Sequence, residues 1–423
     1  MEGAKAGFTI LHSLVIFSLM IGCSGAQKTT TSSGNSNQGV TEPDSSQTSE
    51  TTEKKEKEPI IDSIDLLYPP LLKDTYQIAF CLPLYLDDYP GISGSREHFS
   101  TISMDYWWGA KLAFDTLEAI GMSAEIQIID GKNDSSEIKS QIKNLKKKPD
   151  LLFGPLFPTS LAHIAPYLDK NGINAVSSFA VLETTEGYNH RTIFSKSTLD
   201  KTNKTLAAFL SKGAFKRKPI VIFSRTVDYE QNEAKNLKKK FTGRDSNRVE
   251  LRVLSGNYVG KNELKGSIKD SAVVIICSDR EAFVTSILAE MRRSLKNFTV
   301  VGKSSWLDYQ SCDINAWERL NMHFYSSQYL DYSDSLTQKF IQKFRKKYRS
   351  EPSKHAISGY FETIYYGLYL HTYGVNFQRH INELELQLPY FSSEFKQAKK
   401  PGFFYNANVS FYKLSEQQLK KLK

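Results

Sequence analysis

The chain holds few of the residues that build special chemistry. Its 423 residues include only four cysteines and eight histidines. Cys81 and Cys277 fall inside apolar strand patterns, QIAFCLPL and AVVIICSD, and read as small buried hydrophobes. With Cys23 set aside, the remaining odd number of cysteines argues against a disulfide framework. A Cys277–Cys312 bridge in an oxidising compartment stays open. The histidines are scattered, with no HExxH and no paired spacing, so no metal site is expected. Asp130, Asn133 and Asp134 look like a fragment of a calcium loop. They lack its glycine and distal glutamate at the required spacing, which leaves an ordinary βα turn. There is no GxSxG, no P-loop and no dinucleotide glycine fingerprint. Nothing supplies a nucleophile–base pair, so neither an enzymatic activity nor a cofactor is expected. Beyond the first residues, no run is long and apolar enough to cross a bilayer.

What the chain does have is lysine, aromatics and an unusual N-terminus. The formal net charge of +9 is spread through runs such as KNLKKKPD, KNLKKKF and FRKKYRS. Each lies on an expected helix with apolar neighbours and reads as a solvated face. No basic arm or nucleic-acid module accompanies them, so no nucleic-acid partner is expected. Phe8 to Ile21 is an apolar segment too short to span a bilayer comfortably, and it ends in Leu19-Met20-Ile21-Gly22-Cys23. That ending resembles a bacterial lipobox, which implies cleavage after residue 22 and lipid attachment at Cys23. A plain secretory signal with a chance cysteine is the alternative. Residues 23–73 then form an expected tether. Ser24 to Glu58 is polar and almost free of apolar residues, so it cannot bury enough surface to fold. By random-coil scaling it reaches roughly 30 Å.

From Tyr76 onwards, strands and helices alternate. Strands are expected at Tyr76–Leu84, Ala124–Ile129, Leu151–Phe153 and Asn174–Ser177. A second series, beginning near Arg191, covers Thr192–Phe194, Pro219–Phe223, Val249–Leu254, Ala272–Cys277 and Thr299–Val301. Helices between them carry apolar stripes at helical spacing, such as Ala110, Ala113, Phe114, Leu117 and Ile120. His323–Gln328 follows as a strand, and Ser335–Tyr348 and Lys354–Tyr373 as helices. Phe403–Tyr405 and Ser410–Tyr412 look like a late pair of short strands, and Ser415–Leu422 like a polar terminal helix. This alternation argues for an α/β protein with parallel sheets in two Rossmann-like lobes. Within it, Asp150 to Ala180 is a βαβ unit whose two strand ends share one sheet edge, where ligand sites form.

Six pieces stand in register with one family. They are GAKLAFD (Gly109 to Asp115), IIDGKND (Ile128 to Asp134), DLLFGPLFPTS (Asp150 to Ser160), NAVSSFA (Asn174 to Ala180), IFSRTVDYEQN (Ile222 to Asn232) and AISGYFETIYYGLYL (Ala356 to Leu370). Together they resemble the type I periplasmic solute-binding proteins, in particular the branched-chain-amino-acid-binding branch. The GPL form and the lipobox resemble lipoproteins of Bacteroidetes type. The resemblance implies two lobes joined by three crossovers, with a small-molecule solute in the cleft between them. It places lobe one at 74–188 plus 324–388, and lobe two at 189–323 plus 389–414, with 415–423 as a tail. The implied partners are an ABC permease and the membrane, reached through the lipid anchor on the periplasmic side of the envelope. A related reading, of the penicillin-binding-protein-activator kind, would instead make it an interaction lipoprotein docking cell-wall enzymes.

The resemblance also nominates site residues. Thr159 or Ser160 matches the hydroxyl and N–H that hold a ligand carboxylate, although either could simply cap its helix. Phe179 and Ala180 match the second ligand loop, and Tyr229 an aromatic that closes from lobe two. Tyr229 could equally be a surface residue at a helix start. Ser278 and Trp306 fall on lobe-two cleft loops by strand-end position. Three departures stand out. Val181 occupies a position where amino-acid binders place threonine, and Glu230 replaces a glycine. The usual acid for the ligand amine has no clear match, Asp308 being a candidate. Aromatic candidates around the cleft (Tyr85, Tyr89, Phe157, Phe179, Tyr229, Trp306) suit a larger or flatter ligand that stacks.

Overall fold

The structure is a computed structural model. It describes residues 71–179, 186–264, 266, 268–294, 296–311, 313–384, 386, 388–390, 394–398 and 402–422. Cys23, Ala180, Val181 and Cys312 lie outside the described residues. Among the described residues, no helix is long and apolar enough to cross a membrane.

Two seven-stranded sheets are built on the same plan. The first series of strands is β1 (Tyr76–Leu82), β2 (Ala124–Asp130), β3 (Leu151–Phe153), β4 (Asn174–Ser177) and β5 (Thr192–Phe194). The second is β6 (Ile220–Arg225), β7 (Val249–Leu254), β8 (Val273–Ile276), β9 (Thr299–Lys303) and β10 (His323–Ser326). The late strands are β11 (Phe395–Gln397), β12 (Phe404–Asn406), β13 (Ser410–Ser415) and β14 (Gln418–Lys421). Sheet one runs β11-β12-β5-β4-β3-β1-β2, and sheet two runs β14-β13-β10-β9-β8-β6-β7. Strands within each five-strand series are parallel. The apolar runs of β1, β3, β4, β5 and β8 are buried, as for sheets covered on both faces, whereas the edge strands β2 and β7 are partly exposed.

The covering helices are α1 (Gly94–Ala119), α2 (Ser135–Lys143), α3 (Pro158–Lys170), α4 (Leu199–Leu210), α5 (Asp228–Lys240), α6 (Lys261–Leu264), α7 (Glu281–Arg292), α8 (Ile314–Arg319), α9 (Ser335–Tyr348) and α10 (Lys354–Tyr373). The core of lobe one lies where α1 and α10 cross. Tyr106, Ala110, Ala113 and Leu117 pack with Tyr365, Tyr366, Tyr369 and Leu370 against Phe80 and Phe153 of the sheet. Two glycines let the helix backbones touch. A Cβ on Gly109 would stand 1.8 Å from the Ala356 oxygen, and one on Gly359 would stand 2.0 Å from the Tyr106 oxygen.

Several expectations change. Residues 192–194 pair with β4 and belong to sheet one, as do Phe395–Gln397 and Phe404–Asn406, although the expected boundaries put all of them in lobe two. His323–Ser326 lies in sheet two throughout. The late strands near 404 and 410 are not partners: β12 joins β5, and β13 joins β10. The terminal helix is not formed. β13 turns through Glu416 and Gln417, with φ of 56° and 59°, and pairs antiparallel with β14. The chain thus passes between lobes after β5, after β10 and after β12.

Candidate functional site

Each sheet reverses its strand order once. From β1 the chain goes outward to β2 and returns past β1 to β3; from β6 it goes to β7 and returns to β8. Connections at such a reversal diverge, and the crevice they leave at the strand carboxyl ends is where open parallel sheets bind ligands. In lobe one this point carries the loop after β1 beside the Gly154–Ser160 turn. In lobe two it carries Arg225–Glu230 beside Ser278 and Asp279.

On the lobe-one wall, Asp130 at the end of β2 shapes the first loop. Its carboxylate accepts the backbone N–H groups of Leu84 at 2.9 Å, Tyr85 at 3.0 Å and Leu86 at 2.8 Å. Asp134 caps α2 through the N–H groups of Ser136 and Glu137. The Asp130–Asp134 stretch therefore works as a βα turn. Tyr85 is held in the left-handed region with its ring buried, and the Arg96 guanidinium lies 5.7 Å from the ring centre. Gly154 has φ of 102°, and a Cβ there would meet the Cys81 oxygen at 2.2 Å, so the turn needs glycine.

Phe157 is the N-cap of α3 and offers no side-chain hydrogen bond. Thr159 is exposed, and Ser160 is buried with its hydroxyl 3.4 Å from Asn133 Oδ1. Neither hydroxyl caps the helix, so among the described residues its first-turn N–H groups have no side-chain cap and carry the positive end of the dipole.

Further along this edge, Phe179 is half-buried between Tyr106 and His355, with ring centres at 5.2 Å and 5.5 Å. Lys196, just past the end of β5, donates to the Phe179 carbonyl at 3.2 Å. Behind them sits Glu362, wholly buried on α10. It accepts from Tyr106 Oη at 3.1 Å and from Gln328 Nε2 at 3.0 Å, and Tyr390 Oη reaches Gln328 Oε1 at 3.1 Å. Gln328 belongs to the second crossover, so this network ties the core of lobe one to the connection between lobes. Burial pushes the Glu362 carboxyl up to about 7, against the pull of Ser178, Tyr106, the Lys196 charge and Gln328. Burial likewise lowers the Lys196 ammonium. His355 is pushed down to about 3 by burial and by the charges of Lys354, Lys196 and His98, so its imidazole is neutral near pH 7.

The lobe-two wall is already paired. Glu230 is wholly buried, and Oε1 accepts from Arg225 Nη2 at 2.6 Å, Ser278 Oγ at 2.8 Å and Tyr229 Oη at 3.1 Å. Lys303 joins Glu233 at 3.0 Å and Asp279 at 2.8 Å. Among the nominated residues, Tyr229 is 49% exposed at this edge. The Ser278 hydroxyl is occupied in holding Glu230. Trp306 is wholly buried, its Nε1 donating to the Ser278 carbonyl at 3.0 Å. Its ring fills the space left by Gly302, where a Cβ would approach within 2.1 Å. Trp306 is therefore a core ring rather than a stacking surface. Across the lobes, Lys354 at the start of α10 meets Asp308 at 2.7 Å.

The structure thus gathers Thr159, Ser160, Phe179 and Tyr85 on one wall and Tyr229 and Ser278 on the other. Reasoning from sequence missed Lys196, His355 and Glu362. The first follows directly on an expected strand end, and the last is a lone acid in an aromatic helix; both were signals. A separate cavity of about 370 Å³, lined by Lys218, Asn297, Thr299 and Arg319 among others, lies at the amino ends of the sheet-two strands, away from this edge.

Two sheets of one plan, joined by three crossovers with their carboxyl edges apposed, define a type I periplasmic-binding fold. The chain belongs to the periplasmic binding protein family, whose sequence profile matches residues 92–374. No curated protein sequence matches it. Solved structures of similar fold include a protein from Rhodospirillum rubrum, provisionally described as a branched-chain amino acid ABC transporter. It is 12% identical with a TM-score of 0.62, covering 83% of this chain and all (100%) of that one. An ABC transporter substrate-binding protein from Desulfitobacterium hafniense, in complex with Leu, is 14% identical with a TM-score of 0.54, covering 82% and 99%. An ABC transporter solute-binding protein from R. palustris, in complex with benzoate, is 12% identical with a TM-score of 0.53, covering 82% and 95%.

Proposed function

We propose that this protein captures a small solute between its lobes and presents it to an ABC-type importer, tethered to the cell envelope by a lipid on Cys23. The observation that carries this reading is the apposition of two strand-order reversals across three connecting segments. Each wall carries polar and aromatic groups at its edge, and one exposed ion pair, Lys354–Asp308, bridges them. Hinge closure over ligand is the established behaviour of such lobes. The ligands of the similar structures, Leu and benzoate, show that the fold accepts both amino acids and planar acids. Thr159, Ser160 and Phe179 on lobe one and Tyr229 on lobe two are the proposed contacts. Ser278 acts behind them by holding Glu230, and Tyr85 by supporting the first loop.

Calorimetric and thermal-shift screening of the purified protein against metabolite pools tests the reading, with small-angle scattering to follow compaction. Solute capture predicts a raised melting point together with a smaller radius of gyration for at least one pool. No shift and no compaction with any pool would sink it. The anchor is checked separately: labelled palmitate should enter the wild type and not Cys23→Ala.

A further inference from the structure

Charge is distributed unevenly between the two walls. Glu230, Glu233, Asp279 and Asp308 each already hold a cation: Arg225, Lys303, Lys303 and Lys354 respectively. A carboxylate so engaged is not free to receive a ligand ammonium, and prying Glu230, Glu233 or Asp279 loose would leave a largely buried Arg225 or Lys303 short of a partner. Asp228 is the exception, and it is exposed on the first turn of α5, where an ion pair contributes little.

The opposite wall is arranged the other way. Lys196 is half-buried, and among the described residues its ammonium donates to the Phe179 carbonyl alone, which leaves donors to spare. Among the described residues, no carboxylate lies within ion-pair distance of it. Glu362 behind it is occupied by Tyr106 and Gln328. His355 stands against the Phe179 ring, and no described residue takes a hydrogen bond from its ring nitrogens or gives one to them. Phe99 and Phe157, edge to face at 4.9 Å, lie where α3 begins, so the surroundings are apolar and aromatic. A single ammonium in such a frame suits a monoanion better than a phosphate, whose second charge would go unmatched.

We infer that the cleft takes an organic carboxylate without an α-ammonium group, its anionic head held by Lys196 and His355 and its planar apolar body against Phe179. This rests on the solute-capture reading and narrows it to a ligand class. Lys196 supplies charge that burial has made costly to leave unpaired, so ligand binding relieves a desolvated cation. The neutral His355 donates its ring N–H to the same carboxylate.

The test is calorimetry with benzoate, phenylacetate and 4-hydroxybenzoate, set against leucine, isoleucine, phenylalanine and inorganic phosphate. The expected result is binding of at least one aryl carboxylate and of none of the others. Lys196→Met should weaken that binding at least tenfold, with the ligand-free melting point unchanged or raised. His355→Gln provides a second variant should the first not fold, and a weakening of threefold or more is expected. Leucine or phosphate binding in place of the carboxylates would overturn the inference, as would full affinity in both variants. Failure of every carboxylate, while a metabolite pool still compacts the protein, would overturn it and leave solute capture standing. Failure of every pool to compact the protein would overturn both.

Discussion

Glu362 shows what one buried acid does in this protein. It sits in the α10 face that packs on α1, holding Tyr106 and Gln328, with a pKa raised to about 7 by burial. The unfolded chain releases this proton near the ordinary value of 4.5, and the folded chain only near 7. Between those values the folded state holds more protons, so stability falls as pH rises, and the loss is complete above pH 7. The size of the effect is about 3 kcal/mol. His355 acts in the opposite sense below its ordinary value of 6.5, because the unfolded chain protonates it first. Comparing wild type with Glu362→Gln cancels that contribution. The variant should gain about 3 kcal/mol relative to wild type between pH 4.5 and pH 8. Urea unfolding at both values measures it, and parallel pH profiles for the two proteins would contradict the assignment.

At the scale of elements, the crossing of α1 and α10 organises lobe one. Glycine in a helix interior ordinarily costs about 1 kcal/mol relative to alanine. Here the gain from replacing it is outweighed, because a Cβ at Gly359 would lie 2.0 Å from the Tyr106 oxygen. Gly359→Ala should therefore destabilise by about 2 kcal/mol or more, since the helices must separate. A midpoint shift to higher urea would refute the close contact. Separation would also displace Tyr106 and His355, so solute binding should weaken with it. Both glycines stand in stretches that the sequence comparison singled out, GAKLAFD and AISGYFETIYYGLYL. Their meeting, however, depends on residues about 250 positions apart, which no local pattern encodes.

Strands β3, β4, β5 and β7 were legible from apolar runs bounded by turn residues. α1 begins at Gly94, well before Ala110, where its expected apolar stripe starts, because its first turns are polar and exposed and lack that stripe. The β13–β14 hairpin was illegible for another reason. Its turn places Glu416 and Gln417 in the left-handed region without the Asn-Gly signal that normally marks it. The candidate loops do follow the strand ends from which they were read. Whether a side chain there faces solvent or core was not readable, as Trp306 and Ser278 show: their fate depends on Gly302 and Glu230.

On the scale of the whole molecule, the Lys354–Asp308 pair spans the lobes at 2.7 Å with both side chains about half exposed. Such a pair contributes little to global stability. It does bias the relative position of the lobes, and salt screens it. Asp308→Asn should leave the urea midpoint essentially unchanged. It should enlarge the ligand-free radius of gyration at low ionic strength, and the difference from wild type should vanish at 1 M salt, about where screening is complete. Scattering curves identical at low salt would show that the pair does not hold the lobes.

The passage from β12 to β13 has a consequence for how the molecule comes into being. Asn406 ends a strand of sheet one, and Ser410 begins a strand of sheet two, so three residues of connection lie between the next-to-edge strand of one sheet and the next-to-edge strand of the other. Both sheets lay down five strands early and wait for these last residues to be finished. Neither lobe can complete itself while the chain is still emerging from the ribosome or a translocation channel. The two must mature together in a single late step, and a nascent chain halted before β12 would carry two unfinished sheets with open edges, a natural target for chaperones and proteases.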